Sequence, residues 1–442
     1  MRTARTTQIF YASTLYGAAT LAAAIDSGCF GPADRRLLLV SNNAGIPETT
    51  PPLDRMPGFG ELRARFDGVL SWNETIAPLH PGGWAPRPDD IPLWERQLRL
   101  LWDLGDDRIE LAVESIQVNP AQALAQLFQD APVTVYADGL MSYGPTRNKI
   151  DPLIGTRVRA LLHLDLVPGL KPLLLAEFGV EPEIVPTAAF VKVLSELASS
   201  ATGLPDCAEP PALLLGQYLS ALEILTPQEE EDLHVRMLRG AVERGHRTIV
   251  FKPHPTAPAR WSRLLEKEAA KLGVELSVVE QPLLAETLYE RVRPALVVGC
   301  FSTALLTASA FYAIPVARTG TDLLLDRLSP YQNSNRVPVT IVDALLPQLE
   351  DLDAPRVTDL SGLVSAVGFA MQPQLRPDLR PAAEAFLARH LDSRTWRYFK
   401  RRRLTVLGLP GAVPPQLAFI PRNATVRRVA RRARSLKRVA IG

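Results

Sequence analysis

Four short segments hold the residue types best suited to chemistry. The first is Phe251-Lys252-Pro253-His254-Pro255. The run RTIVFK before it reads as a strand over 247–252, so a lysine and a histidine arrive at its carboxyl end, and two prolines fix the backbone around them. That pair suits contact with a nucleotide phosphate or protonation of a leaving group, although a surface turn would carry the same residues. The second is Gly299-Cys300-Phe301-Ser302-Thr303-Ala304, a strand end followed by two hydroxyls that open a helix. Free backbone N–H groups and hydroxyls at such a terminus bind anions, a role compatible with plain capping by Ser302. The third is Tyr136-Ala137-Asp138-Gly139, with Tyr143-Gly144-Pro145 close behind. It places Asp138 after a buried strand, where a general base for an acceptor hydroxyl would sit, or else it is an Asp-Gly turn. The fourth is Glu286, in the first turn of a helix over 283–291. Its carboxylate can accept both hydroxyls of a ribose, or simply favour the helix terminus.

These segments must be positioned by the elements around them. Apolar strand-like runs at 8–13, 36–41, 67–72, 108–114 and 132–137 alternate with helical stretches at 15–27 and 91–104, then near 154–165 and 169–178. The segment around Ser199–Pro205 and the run Glu209-Pro210-Pro211 break the pattern and read as a linker. A second series follows, with strands at 212–216, 247–252, 274–280, 295–299 and 314–317. Its helices lie at 227–244, 259–272, 283–291 and 302–312. Alternation of this kind predicts an α/β fold with parallel sheets. Two doubly wound Rossmann-like domains joined near residue 205 give the architecture of GT-B glycosyltransferases, whose ligands bind at strand carboxyl ends in the cleft between domains. The expected limits are 1–200 for an acceptor-side domain and 211–345 for a nucleotide-binding domain. A helix at 380–400 is expected to return to the first domain, ahead of a basic tail at 401–442.

Composition excludes several classes. The chain has 442 residues, 47% hydrophobic and 22% charged, which supports large cores rather than disorder. Cys29, Cys207 and Cys300 are an odd number without a C-x-x-C, and the six histidines contain no H-x-x-x-H pair. A disulfide framework, a cysteine zinc site and a zincin site are therefore excluded. No G-x-S-x-G elbow and no G-x-G-x-x-G after a strand point to a hydrolase or a dehydrogenase. The formal net charge of +2 hides an asymmetry: residues 393–442 carry 14 Lys and Arg and no acid, leaving 35 bases against 47 acids elsewhere. In 424–440, Val426, Val429, Ala433, Leu436 and Ala440 form an apolar stripe among arginines. This predicts an amphipathic helix on an anionic membrane surface, with a solvated tail as the alternative. Phosphate would repel the acidic body, so nucleic acid is not an expected partner. No apolar run reaches spanning length. The start, MRTARTTQIFYAST, reads as a strand leading into a helix rather than a signal peptide, because Ser13, Thr14 and Tyr16 interrupt the apolar run. The expected location is cytoplasmic, on the inner face of the cell membrane.

Taken together, the segments resemble the bacterial GT-B sialyltransferases, including the α-2,8-polysialyltransferase-like family. That family carries an acidic-acidic-glycine motif in the first domain, then His-Pro and a Ser-Ser/Thr pair in the second. Ala137-Asp138-Gly139, His254-Pro255 and Ser302-Thr303 occur here in that order. Glu286 is similar to the family's ribose-binding position, and Gly216-Gln217 to its nucleotide-proximal loop. The resemblance implies inverting transfer from CMP-sialic acid, or another CMP-activated nonulosonic acid, to a free or lipid-linked glycan in surface-polysaccharide (capsule) synthesis. It implies neither cofactor nor metal; the one Asp-x-Asp, Asp351-Leu352-Asp353, lies past the second domain's core. By the same resemblance Asp138 and His254 are the catalytic pair. Gly216, Gln217, Lys252, Pro255, Glu286, Ser302 and Thr303 bind the donor, and Ser13, Thr14, Glu114 and Gly139 fall on the acceptor side. One position departs: the family's usual base is the first acid of its motif, and here it is Ala137, which leaves Asp138 or Glu114 for the task. Two other readings stay open. Lys-Pro-His-Pro and a serine pair also fit a CDP-glycerol or CDP-ribitol polyol-phosphate transferase, and the missing acid also fits an inactive nucleotide-sugar-binding scaffold.

Overall fold

The apolar runs along the chain become strands, the central ones buried on both faces as parallel sheets require. The structure, a computed structural model, describes residues 5–137, 139–254 and 257–412. Strands β1 (Thr6–Ala12), β2 (Arg35–Val40), β3 (Gly68–Ser71), β4 (Arg108–Glu114), β5 (Val133–Ala137), β6 (Val158–Leu164) and β7 (Pro182–Val185) form one sheet. Its order is β3-β2-β1-β4-β5-β6-β7, and every pairing is parallel. A second parallel sheet has the order β10-β9-β8-β11-β12. It uses β8 (Ala212–Leu215), β9 (Thr248–Lys252), β10 (Glu275–Val278), β11 (Leu296–Gly299) and β12 (Val316–Arg318). Two doubly wound sheets with a cleft between them make the expected GT-B architecture. Both sheets reverse winding at a central pair, β1/β4 in the first and β8/β11 in the second, and such switch points open crevices at strand carboxyl ends.

Local capping sets where the cleft-facing helices begin. Helix Leu15–Asp26 starts at Thr14, whose hydroxyl accepts from Gly17 N at 2.9 Å. Helix Pro227–Glu243 opens with a reciprocal capping box between Thr226 and Glu229. Helix Thr303–Tyr312 starts at Ser302.

Three parts of the first domain depart from expectation. Residues 154–165, expected helical, contain β6 instead. Val158-Arg159-Ala160-Leu161-Leu162-His163-Leu164 suits either period, and pairing with β5 and β7 decides it. Residues 169–178, also expected helical, hold only a 3-10 turn at Ala176–Phe178. Gly169 and Pro172 interrupt that run. Strand β7 and the helix Thr187–Ser199 were not expected at all. The linker is where the sequence puts it, with no helix or strand across 201–211.

The chain crosses back to the first domain earlier than the expected 380–400. Helix Leu360–Met371 and the turn after it make the contact: Gln372 Nε2 donates to Arg147 O at 2.7 Å, and Arg376 Nη1 to Leu173 O at 3.1 Å. Residues Thr395–Tyr398 pack on the second domain, where Tyr398 Oη donates to Asp343 Oδ2 at 2.8 Å. The amphipathic stripe at 424–440 lies outside the described residues.

Asp343 anchors this carboxyl-terminal packing. It also accepts from Arg318 at 2.9 Å and from the Thr321 hydroxyl at 2.6 Å. The side chains of Arg318 and Asp343 are 8% and 1% exposed, so neither charge is relieved by water. Asp343→Ala strands the buried guanidinium and is expected to cost about 3–5 kcal/mol of unfolding free energy, whereas Arg318→Met with Asp343→Leu costs less. Urea denaturation checks this; a loss below about 1 kcal/mol for the single variant would show that water reaches the pair.

Candidate active site

The two switch points open onto one cavity of about 590 Å³. From the first domain it is lined by Thr14, Tyr16, Gln117, Ala137, Gly139 and Arg147, among others. From the second come Gly216, Gln217, Lys252, His254, Glu286, Ser302 and Thr303. Most of the residues singled out from the sequence therefore converge, from segments up to 289 positions apart. A separate cavity of about 620 Å³ lies at the carboxyl ends of β2 and β3, lined by Asn42, Ser71, Asn73 and His80, and contains none of them.

The second-domain wall is built for an anion. After β11, Phe301 N donates to Gln217 Oε1 at 3.0 Å, which ties the loop after β8 to the helix Thr303–Tyr312. Ser302 Oγ caps that helix by accepting from Ala304 N at 3.3 Å. Gly216 N donates to Lys252 O at 2.9 Å. A Cβ on Gly216 would lie 2.9 Å from the Phe251 ring and 3.2 Å from Pro253 Cα, so the close approach of β8 to β9 needs the glycine. Lys252 is 6% exposed, and burial pushes its ammonium down to about 8. Burial, then the charge of Lys252, also lowers the pKa of His254. Lys252, His254 and a helix N-terminus thus line one space, and an anion placed there would be met by donors from all three.

Glu286 sits beneath this wall, 2% exposed. Its Oε1 is buried with no hydrogen-bond partner among the described residues. Burial pushes its carboxyl up to about 7, while its own backbone N–H and the Thr307 hydroxyl pull the other way. An unsatisfied acceptor at a cavity wall suits the hydroxyls of a ligand. Thr307 also meets Tyr16 Oη across the domain boundary at 3.1 Å.

The first-domain wall comes close to the helix terminus. A Cβ at position 139 would lie 3.1 Å from Thr303 Oγ1. Gly139 is extended, with φ −149°, so it is the close approach of Thr303 rather than backbone conformation that favours a glycine here. Asp138 and Pro255 lie outside the described residues; their neighbours Ala137, Gly139 and His254 line the cavity. Glu114, the other carboxylate considered as a base, is engaged behind the wall. It accepts from the Ser13 hydroxyl through Oε1 and from Tyr136 Oη at 3.1 Å through Oε2. Neither Ser13 nor Glu114 is among the cavity-lining residues, whereas Thr14 is.

Sequence reasoning missed Tyr16, Thr307, Gln117 and Arg147. Thr307 follows Thr303 by one helical turn, which could have signalled it. Arg147 and Gln117 sit in loops with no motif around them. Among the described residues, no three His, Cys, Asp or Glu side chains lie together in a way that could hold a metal ion. No helix among them is long and apolar enough to cross a membrane.

Comparison with known proteins places this geometry in context. A family model described as Alpha-2,8-polysialyltransferase (POLYST) matches residues 8–321. No curated protein matches the chain. Among solved structures, the chain is similar to the GT-B domain of a sialyltransferase from Photobacterium damselae, at 11% identity over 75% of this chain and 95% of that one, with a TM-score of 0.38. It is also similar to Acinetobacter baumannii MurG, at 12% identity over 89% and 97%, TM-score 0.39. A UDP-N-acetylglucosamine 2-epimerase from Rickettsia bellii matches at 13% identity over 88% and 100%, TM-score 0.42.

The burial of Glu286 has a pH signature. Its raised pKa means that the folded chain keeps a proton which the unfolded chain releases between about 4.5 and about 7. Stability therefore falls as pH rises through that window and levels off above it. Glu286→Gln lacks the ionisation, so its stability should change less with pH and exceed the parent's at pH 8 by on the order of 3 kcal/mol. Urea denaturation of both proteins at pH 5 and pH 8 reads this out; parallel pH profiles would show that Glu286 stays ionised in the fold.

Proposed function

The chain belongs to the Alpha-2,8-polysialyltransferase family, and from that premise we propose that it moves sialic acid, or another nonulosonic acid, from a CMP-linked donor to a glycan hydroxyl in capsule-type surface-polysaccharide synthesis. At the coarser level it is a glycosyltransferase of the sialyltransferase type. The observation that carries the finer reading is the approach of Gly139 to Thr303, which sets the acceptor-side loop against the anion-binding helix terminus.

In this reading the donor phosphate lies on the N-terminus of helix Thr303–Tyr312, beside Ser302, Thr303, Lys252 and His254, and the ribose hydroxyls reach the unpartnered Oε1 of Glu286. Asp138 takes the proton of the acceptor hydroxyl as that oxygen bonds to the anomeric carbon from the face opposite the phosphate, which inverts the centre. The bond from the anomeric carbon to the phosphate oxygen breaks, and CMP leaves with its charge met by His254, Lys252 and the helix terminus. These groups supply the positive charge that a metal supplies in other transferases, so transfer proceeds without a divalent ion and survives EDTA. Preorganised donors of this kind are worth a few kcal/mol each in the transition state. The basic segment 401–442 holds the enzyme on an anionic membrane surface at the inner face of the cell membrane, next to a lipid-linked acceptor.

Transfer assays with CMP-sialic acid test the chemistry. His254→Ala should abolish transfer, and Asp138→Asn should lower turnover at least ~100-fold with donor binding nearly unchanged. Ser302→Ala with Thr303→Val should weaken CMP binding by roughly 1–3 kcal/mol in calorimetry. Turnover of CDP-glycerol in place of CMP-sialic acid would replace this reading with a polyol-phosphate transferase.

The membrane assignment has its own test. Truncation after residue 420 removes eight Lys and Arg and the amphipathic stripe. It should release the protein from anionic liposomes and spare transfer to a soluble acceptor, and high salt should release the full chain. Liposome binding that persists through both would locate the anchor elsewhere.

A further inference from the structure

Arg147 stands apart from the other half-buried arginines of the first domain. Arg65 pairs with Asp26 and Glu196, each at 2.7 Å. Arg157 donates to the carbonyls of Ala125, Phe128 and Ala131 at 2.6–2.9 Å, and Arg35 to those of Trp102 and Asp103, both at 3.0 Å. The Arg147 guanidinium, half-buried in the cavity wall, has no hydrogen bond and no ion pair among the described residues. Burial alone acts on it, lowering its pKa.

Its backbone, by contrast, is held on both sides. Arg147 N donates to Gln117 Oε1 at 2.6 Å, and Arg147 O accepts from Gln372 Nε2 at 2.7 Å. Asn148 Nδ2 donates to Gln117 O at 3.3 Å, which closes the loop on its other side. A fixed backbone with an unpaired, partly desolvated guanidinium is a preorganised receptor for a planar anion, because its fork matches a carboxylate with two parallel hydrogen bonds. The phosphate already has Lys252, His254 and a helix terminus on the opposite wall. The other described first-domain residues that line the cavity, Ser115, Gln117, Gly139, Met141, Ser142 and Leu174 among them, carry no charge.

We infer that Arg147 binds the carboxylate of a nonulosonic acid in the cleft and so selects acidic sugars over neutral ones. The inference rests on the transfer reading above and adds the group that recognises the sugar. The carboxylate can belong to the donor sugar or to a sialic acid that ends the acceptor, and the same chemistry serves both. Arg147 is a positioning residue here; the proton transfers stay with other groups.

Arg147→Gln and Arg147→Lys, made in the full chain, separate the possibilities. CMP has no carboxylate, so its affinity by calorimetry should stay within about twofold of the parent, which also reports an intact fold. If the donor carboxylate is bound, KM for CMP-sialic acid in acceptor-free hydrolysis should rise roughly 10- to 100-fold in Arg147→Gln, with Arg147→Lys restoring only part. If the acceptor carboxylate is bound, donor hydrolysis stays normal. The parent then prefers a sialylated acceptor over its methyl ester by a similar factor, and Arg147→Gln loses that preference. Parent-like KM for the donor and for both acceptors in both variants would overturn the assignment, as would a loss of CMP affinity matching the loss of activity. A parent protein that binds CMP but turns over no CMP-sialic acid would remove the premise itself, an outcome distinct from either.

Discussion

The missing Cβ at position 139 sets how closely the two domains can meet at the site. Thr303 Oγ1 is only 3.1 Å from where that atom would be, so a side chain at 139 would require the threonine hydroxyl or the loop to give by a few tenths of an ångström. The rest of the interface is built to keep that approach. Phe190, on helix Thr187–Ser199, packs edge-on between Tyr16 at 5.2 Å and Phe311 at 6.0 Å. On the same helix, Ser195 donates to Glu290 of the second domain at 2.5 Å. Helix Leu360–Met371 and the turn after it close the other side through Gln372 and Arg376. Displacement by even a methyl group would act on this whole set, because packed interfaces deform little before they break.

Electrostatics at the cleft follow one logic. Lys252 and Glu286 are both buried without full compensation, and each pKa moves in the direction that favours the neutral form. The free protein bears that strain as reduced stability. A ligand with a phosphate and vicinal hydroxyls would relieve it at both positions, so part of the binding energy is stored before the ligand arrives. Thr307 links this store to the domain boundary, since it touches both Glu286 and Tyr16. Separating the domains would take away the Tyr16 contact and change the environment of the Glu286 carboxyl.

Much of this was legible in the sequence, for identifiable reasons. Cavity-lining residues at strand ends and helix caps were legible, because backbone geometry fixes where they point: Lys252 at the end of β9 and His254 after it, Ser302 and Thr303 after β11, Thr14 after β1. Strand β6 was misread because an alanine- and leucine-rich run satisfies both periodicities, and only its neighbours β5 and β7 decide. Gly139 was legible as a motif residue but not in its cause, since contact with a residue 164 positions away leaves no local trace. Glu114 looked available from its strand position, whereas Ser13 and Tyr136 engage it. Arg147 left no trace at all, because its meaning is the absence of a partner, which only tertiary structure reveals.

The engagement of Glu114 bears on the departure at Ala137. In a cleft lined this way, a carboxylate at position 137 would stand in the wall where Ala137 now stands, beside the carboxyl end of β5. The methyl group there cannot accept a proton, and Glu114 is already committed to two hydroxyl donors beneath the N-terminus of helix Leu15–Asp26. Freeing it would take the acceptor from the half-buried Ser13 hydroxyl, whereas the Tyr136 hydroxyl also donates to Tyr11 O at 2.9 Å. This engagement acts against a movement of Glu114 into the cavity.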